Sequence, residues 1–334
     1  MRRRILALAL TGLVLYGVAP AVVDVLGGWR DLDRVAPQWW IAVILTQVAG
    51  WGCMWALQRL ALHTRDWFGV VTSQLASGAL GRVVPGGAAA AAALQYRMLA
   101  QSGLERATVA TGLAAGSVLL LGALAALPLL AVPALVAGRT IPDGLLEAGA
   151  LGLVIFVFLF SFGALLMVSD RAVRWVGGAV TTVLRRVRRK KPPPEDMPER
   201  LQRERDMVRR TLGRYWPGAL AAAEGRWLFD FLTLLAALEA VDARPRLTLA
   251  LLAYFAAQLL AQVPLTPGGL GIVEAGMTGT LALAGVPAGA AAVATLAYRL
   301  ASYWLPLPAG AVAWVVHRRR FGPADELAAA GAAT

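Results

Sequence analysis

Two Pro-Gly-Gly tripeptides interrupt long apolar stretches of this chain, one at 85–87 and the other at 267–269. Backbone inside a bilayer must satisfy its own hydrogen bonds, so a broken helix survives only where protein or a water-filled cavity surrounds the break. Paired breaks in corresponding halves of a membrane protein are typical of transporter binding sites. The two tripeptides therefore predict a membrane protein whose polar site lies at its broken helices.

Long apolar blocks predict an all-α polytopic membrane protein. The 334 residues are 58% hydrophobic and only 16% charged, whereas a soluble domain carries roughly a quarter charged residues. A helical span needs about 20 apolar residues. About six full spans are expected, at 5–26, 38–60, 107–136, 146–168, 216–240 and 288–316. The stretches 67–102 and 247–285 contain the tripeptides, and their short arms favour re-entrant or buried hairpins.

Two helix beginnings can be read from local residues. The apolar run that follows Arg2-Arg3-Arg4 is longer than that of a signal peptide, and no cleavage site follows it. We therefore expect 5–26 to be an uncleaved span. Pro217 is expected in the first turn of the span 216–240, where proline is tolerated.

The distribution of basic residues predicts the orientation. Residues 171–214 hold 14 Lys and Arg against five Asp and Glu. With the N-terminus in the cytoplasm and each hairpin returning to its own side, inside segments hold 23 basic residues and outside loops hold five. The positive-inside rule then places both termini in the cytoplasm of a bacterial cell, with the protein in the cytoplasmic membrane. The hairpins enter from opposite sides, which is the arrangement of an inverted repeat.

The same pattern divides the chain. A single transmembrane domain, 1–320, is expected to comprise a first half (1–170), a cytoplasmic basic linker (171–214) and a second half (215–320), followed by a disordered tail (321–334).

Several charged residues remain inside apolar segments, and they are the first candidates for a functional site. A charge at the centre of a span costs at least about 2.5 kcal/mol unless it is paired or hydrated. Arg226 and Asp230 are four residues apart on one predicted helix and can pair, either as a structural ion pair or in contact with cargo. Arg82 precedes the first break by one turn. Arg97 follows the break and either reaches the inner interface or binds a headgroup.

Glu274 lies in the first turns after the second break. It either caps the new helix or acts as a carboxylate that binds a cationic headgroup, pairs with an arginine or carries a proton. Arg299 is its natural partner. Gln258 and Gln262 are four residues apart and place two amides on one helix face directed toward the break.

The breaks themselves offer a further kind of chemistry. A new helix begins after each tripeptide, and its free N–H groups and positive dipole end favour an anion such as phosphate. Gly86, Gly87, Gly268, Gly269 and Gly271 permit close approach of a ligand to the backbone. They equally permit tight packing of the hairpins, and the two readings are compatible.

Other classes of function lack support in the sequence. There is no nucleotide-binding G-x-x-x-x-G-K-[ST] string, no nucleophile–base pair and no metal-ligand cluster. A membrane-embedded enzyme is therefore disfavoured, and we expect no enzymatic activity, cofactor or metal. The basic linker is better explained by orientation and by an anionic inner leaflet than by a nucleic-acid partner.

The segment from Tyr215 to Arg320 resembles the transmembrane domain of bacterial lysylphosphatidylglycerol synthases and their free-standing, flippase-like relatives. The resemblance rests on the string from Thr266 to Glu274, on Gly285-Val286 and on Tyr298-Arg299-Leu300. It implies lipid translocation across the cytoplasmic membrane, with Glu274 and Arg299 carried over as site residues. The first hairpin departs from the family pattern because no acid lies between its Pro-Gly-Gly and Arg97. The soluble synthase domain of the relatives is not expected here, so the chain should not make an aminoacylated lipid by itself.

Two functions follow as hypotheses. The first is a flippase-like transporter of a phospholipid or other lipid-linked headgroup, for which the partners are membrane lipids, either anionic phospholipids or lipid-linked sugars. The second is a non-transporting membrane protein that presents lipid to a separately encoded enzyme, with 185–214 as the docking surface for a cytoplasmic protein. The residues expected to contact the headgroup or the translocation path are Glu274, Arg299, Gly268, Gly269, Gly271, Gln262, Gly86, Gly87, Arg97, Arg82, Arg226 and Asp230.

Overall fold

The computed structural model describes residues 37–84, 87–133, 141–171, 174–175, 178, 197–262 and 267–322. Within these residues the chain is helical and contains no strand, which confirms the all-α class. The expected first span, linker residues 179–196 and tail residues 323–334 lie outside the described residues.

Helices account for nearly all of the described chain. In order they are α1 (Pro37–Leu62), α2 (Trp67–Val83), α3 (Gly87–Gln101), α4 (Arg106–Ala126), α5 (Asp143–Val168), α6 (Met197–Glu239), α7 (Leu247–Ala261), α8 (Ile272–Leu283), α9 (Ala288–Arg299) and α10 (Pro306–Phe321). Short 3₁₀ turns follow α4 at Leu127–Ala131 and precede α8 at Pro267–Gly269. A π-helical turn, Leu300–Trp304, joins α9 to α10.

Helix length separates the candidate spans from the broken stretches. Pro37–Leu62 and Arg106–Ala131 are long and apolar enough to cross a membrane by length and composition. The arms of the broken stretches are shorter, with 17 and 15 residues in α2 and α3 and 15 and 12 residues in α7 and α8. A span needs about 20 residues, so each arm is too short to cross alone at full thickness.

One expected helix boundary was wrong. Pro217 does not open a helix, because α6 runs without interruption from Met197 to Glu239 and contains this proline. A proline inside a helix removes a single N–H donor, and here the helix continues through that loss. The expected span 288–316 is helical throughout, and the π-helical turn at Leu300–Trp304 is a local widening within it. Pro306 lies directly after this turn and cannot donate the α-helical hydrogen bond to the residue four positions earlier.

Helices of the first half pack directly against helices of the second half. Helix α1 lies along α6, where the hydroxyls of Thr46 and Thr233 are 2.9 Å apart. Helix α4 packs against both, and the Trp227 indole of α6 donates to the Leu120 carbonyl at 2.8 Å. The first hairpin packs through α2 against α10, and the second packs through α7 against α5. Each broken stretch therefore rests on a helix of the opposite half.

The largest buried cluster among the described residues is centred on α6, α7, α8 and α9, and Val43, Leu124 and Leu145 of the first half join it. Tyr254, Phe255 and Met277 are fully buried there. Many large apolar side chains on the outside are exposed, such as Val154 at 65% and Val312 at 63%. An apolar exterior around a packed helical core is what a lipid environment requires.

Candidate functional site

A buried carboxylate holds three helices together in the second half. Asp230 of α6 is 2% exposed, and its Oδ1 lies 2.8 Å from the Arg226 guanidinium. Its Oδ2 accepts hydrogen bonds from the Tyr254 hydroxyl at 2.7 Å, the Tyr298 hydroxyl at 2.6 Å and the Gln258 amide at 3.2 Å. These donors come from α7 and α9. Asp230 therefore has both the counter-charge and the hydrogen bonds that a buried carboxylate needs.

Helical spacing accounts for most of this network. Arg226 and Asp230 are four residues apart, and the expected ion pair between them is present. Tyr254 and Gln258 have the same spacing on α7, so both face Asp230. Sequence reasoning did not single out Tyr254 or Tyr298 for this network. The available signal was a tyrosine one turn before Gln258 inside an otherwise apolar helix.

A second ion pair lies beside the second break. Glu274 Oε1 and Arg299 Nε are 2.6 Å apart, so the expected pairing is present. The other carboxylate oxygen, Oε2, accepts the backbone N–H of Gly271 at 2.7 Å and so caps α8. Arg299 also donates to the Gly268 carbonyl at 3.3 Å and lies 4.6 Å from the centre of the Tyr303 ring. Glu274 thus performs both the capping and the pairing that its position suggested.

The backbone of the second break requires glycine. Gly268, Gly269 and Gly271 have φ values of 56°, 72° and 81°, in a region that side chains rarely adopt. A Cβ on Gly268 would also clash with the Tyr303 ring and lie 3.0 Å from the Arg82 carbonyl oxygen. The break is therefore packed closely against both α2 and the π-helical turn.

The two broken stretches meet at Arg82, in the last turn of α2. The Tyr303 hydroxyl donates to the Arg82 carbonyl at 3.0 Å. The Arg82 guanidinium donates to the Gly78 carbonyl at 2.7 Å and to the Ser302 carbonyl at 3.3 Å. The end of the first arm is thus bonded to the turn that also contacts the second break.

Proline explains why the Ser302 carbonyl is available. In a regular helix this oxygen would accept the N–H of the residue four positions later, which is Pro306. Proline has no N–H, and Arg82 supplies the missing donor. Short π-helical segments occur frequently at functional sites, and this one contributes Ser302 and Tyr303 to the meeting point. Sequence reasoning missed both residues, although Pro306 and Pro308 indicated a disturbed helix.

The remaining candidates make no contact with either ion pair among the described residues. Gln262 donates to the Gln258 carbonyl at 3.4 Å. Arg97 is exposed on α3 and makes no hydrogen bond or ion pair with the described residues. A Cβ on Gly87 would clash with the Gly81 carbonyl, so this glycine permits close packing of the two arms. Gly86 lies outside the described residues.

An apolar groove of about 480 Å³ lies between α6, α7 and the 3₁₀ turn Leu127–Ala131. It is lined by Leu127, Leu130, Ala221, Glu224, Gly225, Leu228, Phe231, Leu247, Thr248 and Leu251. The volume falls within the range of ligand pockets, roughly 300–1,000 Å³. Arg226 and Asp230 lie on the same stretch of α6 as several of the lining residues. This stretch of helix therefore contributes both to the apolar groove and to the Asp230 network.

The model of the family Lysylphosphatidylglycerol synthase TM region matches residues 4–310, which confirms the resemblance seen in the sequence. No curated protein and no solved structure has a significant match to the chain.

Proposed function

The chain belongs to the family of lysylphosphatidylglycerol synthase transmembrane regions, and we propose that it is a flippase-like transporter of the bacterial cytoplasmic membrane. Membership of this family makes it a membrane protein involved in lipid modification or transport. The cargo in our proposal is a phospholipid or another lipid-linked headgroup. We further propose that the chain moves this lipid without modifying it and is not itself an enzyme.

The observation that carries the proposal is the contact between the two broken stretches. Arg82 at the end of the first arm contacts Gly268 of the second break and Tyr303 of the π-helical turn. Irregular backbone at membrane depth is tolerated where it is buried in protein or lines a cavity. In transporters such breaks converge on the cargo site. Two partly buried ion pairs, Arg226–Asp230 and Arg299–Glu274, lie in the second half, and Arg299 also donates to the Gly268 carbonyl.

Each hairpin packs against a helix of the opposite half, and this packing supports an alternating-access mechanism. Helix α2 rests on α10, and α7 rests on α5, so each hairpin is held by the opposite half. An inverted repeat would produce this relationship, and rocking of one half against the other would open the site to each side in turn. The groove along α6 would accommodate an acyl chain while the headgroup occupies the polar interior.

The proposed function is tested by lipid translocation in proteoliposomes with headgroup-labelled phospholipids. Glu274→Gln retains an oxygen that can cap Gly271 but removes the charge that pairs with Arg299. We expect this variant, and Arg299→Ala, to lose most of the translocation rate of the wild type. The matched controls are Glu239→Gln and Arg244→Ala, which break an exposed ion pair of 3.0 Å and should translocate normally.

Size-exclusion profiles and thermal melts must first show that each variant is folded. Wild-type protein that moves no lipid from a panel including lipid-linked sugars would contradict a transport function. Translocation that persists in a folded Glu274→Gln variant would remove this carboxylate from the mechanism.

The length of α6 favours a second candidate, a membrane protein that presents lipid to a partner enzyme. Its 43 residues correspond to about 65 Å of helix, twice the hydrocarbon thickness of about 30 Å. The basic end of α6 would then extend beyond the membrane and offer a docking surface. Deletion of 185–214 should abolish cellular function under this candidate, whereas under the transport proposal it should leave translocation in proteoliposomes unchanged.

A further inference from the structure

The apolar groove between α6 and α7 contains one carboxylate. Among the described residues that line it, Glu224 alone is charged. Glu224 is half-buried, and it makes no hydrogen bond or ion pair with any described residue. Asp230 and Glu274, by contrast, are each paired with an arginine. Glu224 is therefore a carboxylate beside apolar surface whose charge the described part of the protein does not compensate.

The charged and titratable groups nearest to Glu224 on α6 and α7 are bonded elsewhere. Arg226 follows it by two residues, and residues two apart on a helix do not share a face. The Arg226 guanidinium and the Tyr254 hydroxyl both bond Asp230 in the interior. Neither group is therefore available to neutralise or to hydrogen-bond Glu224.

The other elements around the groove supply no counter-charge from the described residues. The 3₁₀ turn Leu127–Ala131 is entirely apolar, and α7 contributes two leucines and the Thr248 hydroxyl to the lining. Arg246 lies at the N-cap of α7 and outside the lining. On α1, the Cys53 thiol lies beside Gly225. The protonation of Glu224 is thus governed by whether water or hydrocarbon fills the groove.

The groove has the length of one bilayer leaflet. Its lining residues on α6 extend from Ala221 to Phe231, which corresponds to about 15 Å of helix. The hydrocarbon core is about 30 Å thick, so this length is half of it. Leu130, Leu228 and Leu247 in the lining are exposed, and the groove is therefore open to the surrounding membrane. A lipid hydrocarbon chain is the occupant whose length and polarity match.

A hydrocarbon chain in this groove and an ionised Glu224 oppose each other. An ionised carboxylate in apolar surroundings is costly unless it is paired or hydrated, and such a group takes up a proton instead. A chain that fills the groove excludes the water that would hydrate the charge. Chain binding therefore favours the neutral acid, and by reciprocity the neutral acid favours chain binding.

We propose that Glu224 is a proton-binding site linked to the occupant of this groove. The carboxylate takes up one proton from water when a lipid chain enters and returns it to water when the chain leaves. This inference rests on the proposed function, which assigns an acyl chain to the groove, and adds a proton as a second, coupled ligand. A proton gradient across the membrane can then bias the seating of the chain.

The first measurement follows the proton. Wild-type protein in phosphatidylcholine nanodiscs is titrated from pH 5 to 9, and infrared difference spectra record the C=O stretch of protonated carboxylic acids. Lipid ester bands cancel because they do not titrate. We expect a band that disappears as the pH rises, is absent from Glu224→Gln and is retained in Glu224→Asp. Glu239→Gln removes an exposed carboxylate and should leave the band unchanged.

The second measurement follows the groove. Cys53→Ala removes the single cysteine of the chain, and Leu228→Cys then carries a nitroxide label one helical turn from Glu224. Collisions of the label with oxygen, which concentrates in hydrocarbon, and with a water-soluble nickel complex are measured over the same pH range. We expect collisions with nickel to rise severalfold with pH while those with oxygen fall. Adding Glu224→Gln should keep the label in hydrocarbon at every pH.

A label outside the groove provides the matched control. Val312 is exposed on α10 and does not line the groove. A nitroxide on Val312→Cys should therefore report hydrocarbon at every pH. A pH-dependent signal at this position as large as that at Leu228→Cys would show a general change of the bilayer and would reject the assignment to Glu224.

The infrared result can overturn the proposal in two ways. If Glu224→Gln removes no band at any pH, the wild-type carboxylate is ionised throughout and reaches water. If the band persists unchanged to pH 9, the proton is never released and cannot be linked to chain binding. A titrating band with a label that does not respond to pH would likewise reject the link.

The label also distinguishes between occupants and between the two proposals. A label shielded from both oxygen and nickel would assign the groove to a protein segment and would overturn the lipid occupant. Wild-type protein that shows both pH-dependent signals but translocates no lipid would leave the proton site standing while refuting the transport function. Translocation by a protein whose two signals are independent of pH would have the opposite meaning.

Discussion

The hydroxyl of Tyr303 donates a 3.0 Å hydrogen bond to the backbone carbonyl of Arg82, a residue 221 positions earlier in the chain. This bond connects the end of the first broken stretch to the π-helical turn of the second half. The Tyr303 ring also packs against Gly268 and lies 4.6 Å from the Arg299 guanidinium. One side chain therefore contacts both broken stretches and one of the two partly buried ion pairs.

Removal of the hydroxyl alone tests the importance of this connection. Tyr303→Phe keeps the ring and its packing but leaves the Arg82 carbonyl without this donor. We expect a loss of about 1 kcal/mol in the free energy of unfolding, the usual contribution of one hydrogen bond. Thermal melts in detergent would detect it as a lower Tm. Tyr215→Phe, at an exposed position on α6, is the control and should melt like the wild type.

Breaking the Asp230 network should be far more costly. Asp230→Asn preserves the shape of the side chain but leaves Arg226 without a counter-charge. Removal of one partner of a buried ion pair costs about 3–5 kcal/mol, so a large fall in Tm is expected. The double variant Arg226→Gln/Asp230→Asn removes both charges and should recover part of the loss. A single variant as stable as wild type would show that Arg226 finds another acceptor.

Local spacing predicted the pairs but not the place where they meet. Arg226 and Asp230 were recognisable because residues four apart share a helix face, and Glu274 was recognisable because it follows a break. The pairing of Glu274 with Arg299 was also expected from their places in the two motifs of the second half. In each case a few neighbouring residues carry the information.

The sequence contained no comparable signal that would predict contacts between distant segments. Arg82 and Ser302 are 220 positions apart, and a single sequence does not report which helices of a bundle touch. Tyrosines within apolar segments are equally typical of a packed core, so Tyr254, Tyr298 and Tyr303 did not stand out. The continuous α6 was missed because Pro217 was given the meaning that proline has at a helix start, whereas this helix tolerates it internally.

The left-handed conformation of Gly268 predicts a sharp penalty for any side chain. Gly268→Ala places a Cβ at φ 56° and against the Tyr303 ring, and the backbone strain alone costs roughly 1–2 kcal/mol. We expect a lower Tm and a displaced Tyr303. Gly279→Ala is the matched control, because Gly279 lies in α8 with no heavy atom within 4 Å of the added Cβ. It should be neutral or slightly stabilising, as alanine favours helix.

His317 links the end of α10 to the first hairpin. It directly follows the predicted span 288–316 and is 1% exposed. Its Nδ1 lies 2.7 Å from the Thr72 hydroxyl, and its ring packs against those of Phe68 and Phe321. Burial lowers the pKa of His317 below its usual value of 6.5 and outweighs the opposite effects of the Met98 carbonyl and Asp66. The folded protein therefore holds this imidazole neutral.

A buried neutral histidine makes stability depend on pH in a defined direction. The unfolded chain binds a proton near pH 6.5, whereas folded His317 does so only at lower pH. The contribution of this residue is therefore fully present above pH 6.5 and is lost as the pH falls below it. Thermal melts between pH 5 and 8 should show a decline on the acid side that is smaller in His317→Gln, which can still bond Thr72 but cannot titrate. His63→Asn, at an exposed position, should retain the wild-type decline, and an identical pH profile for His317→Gln would exclude this histidine as its source.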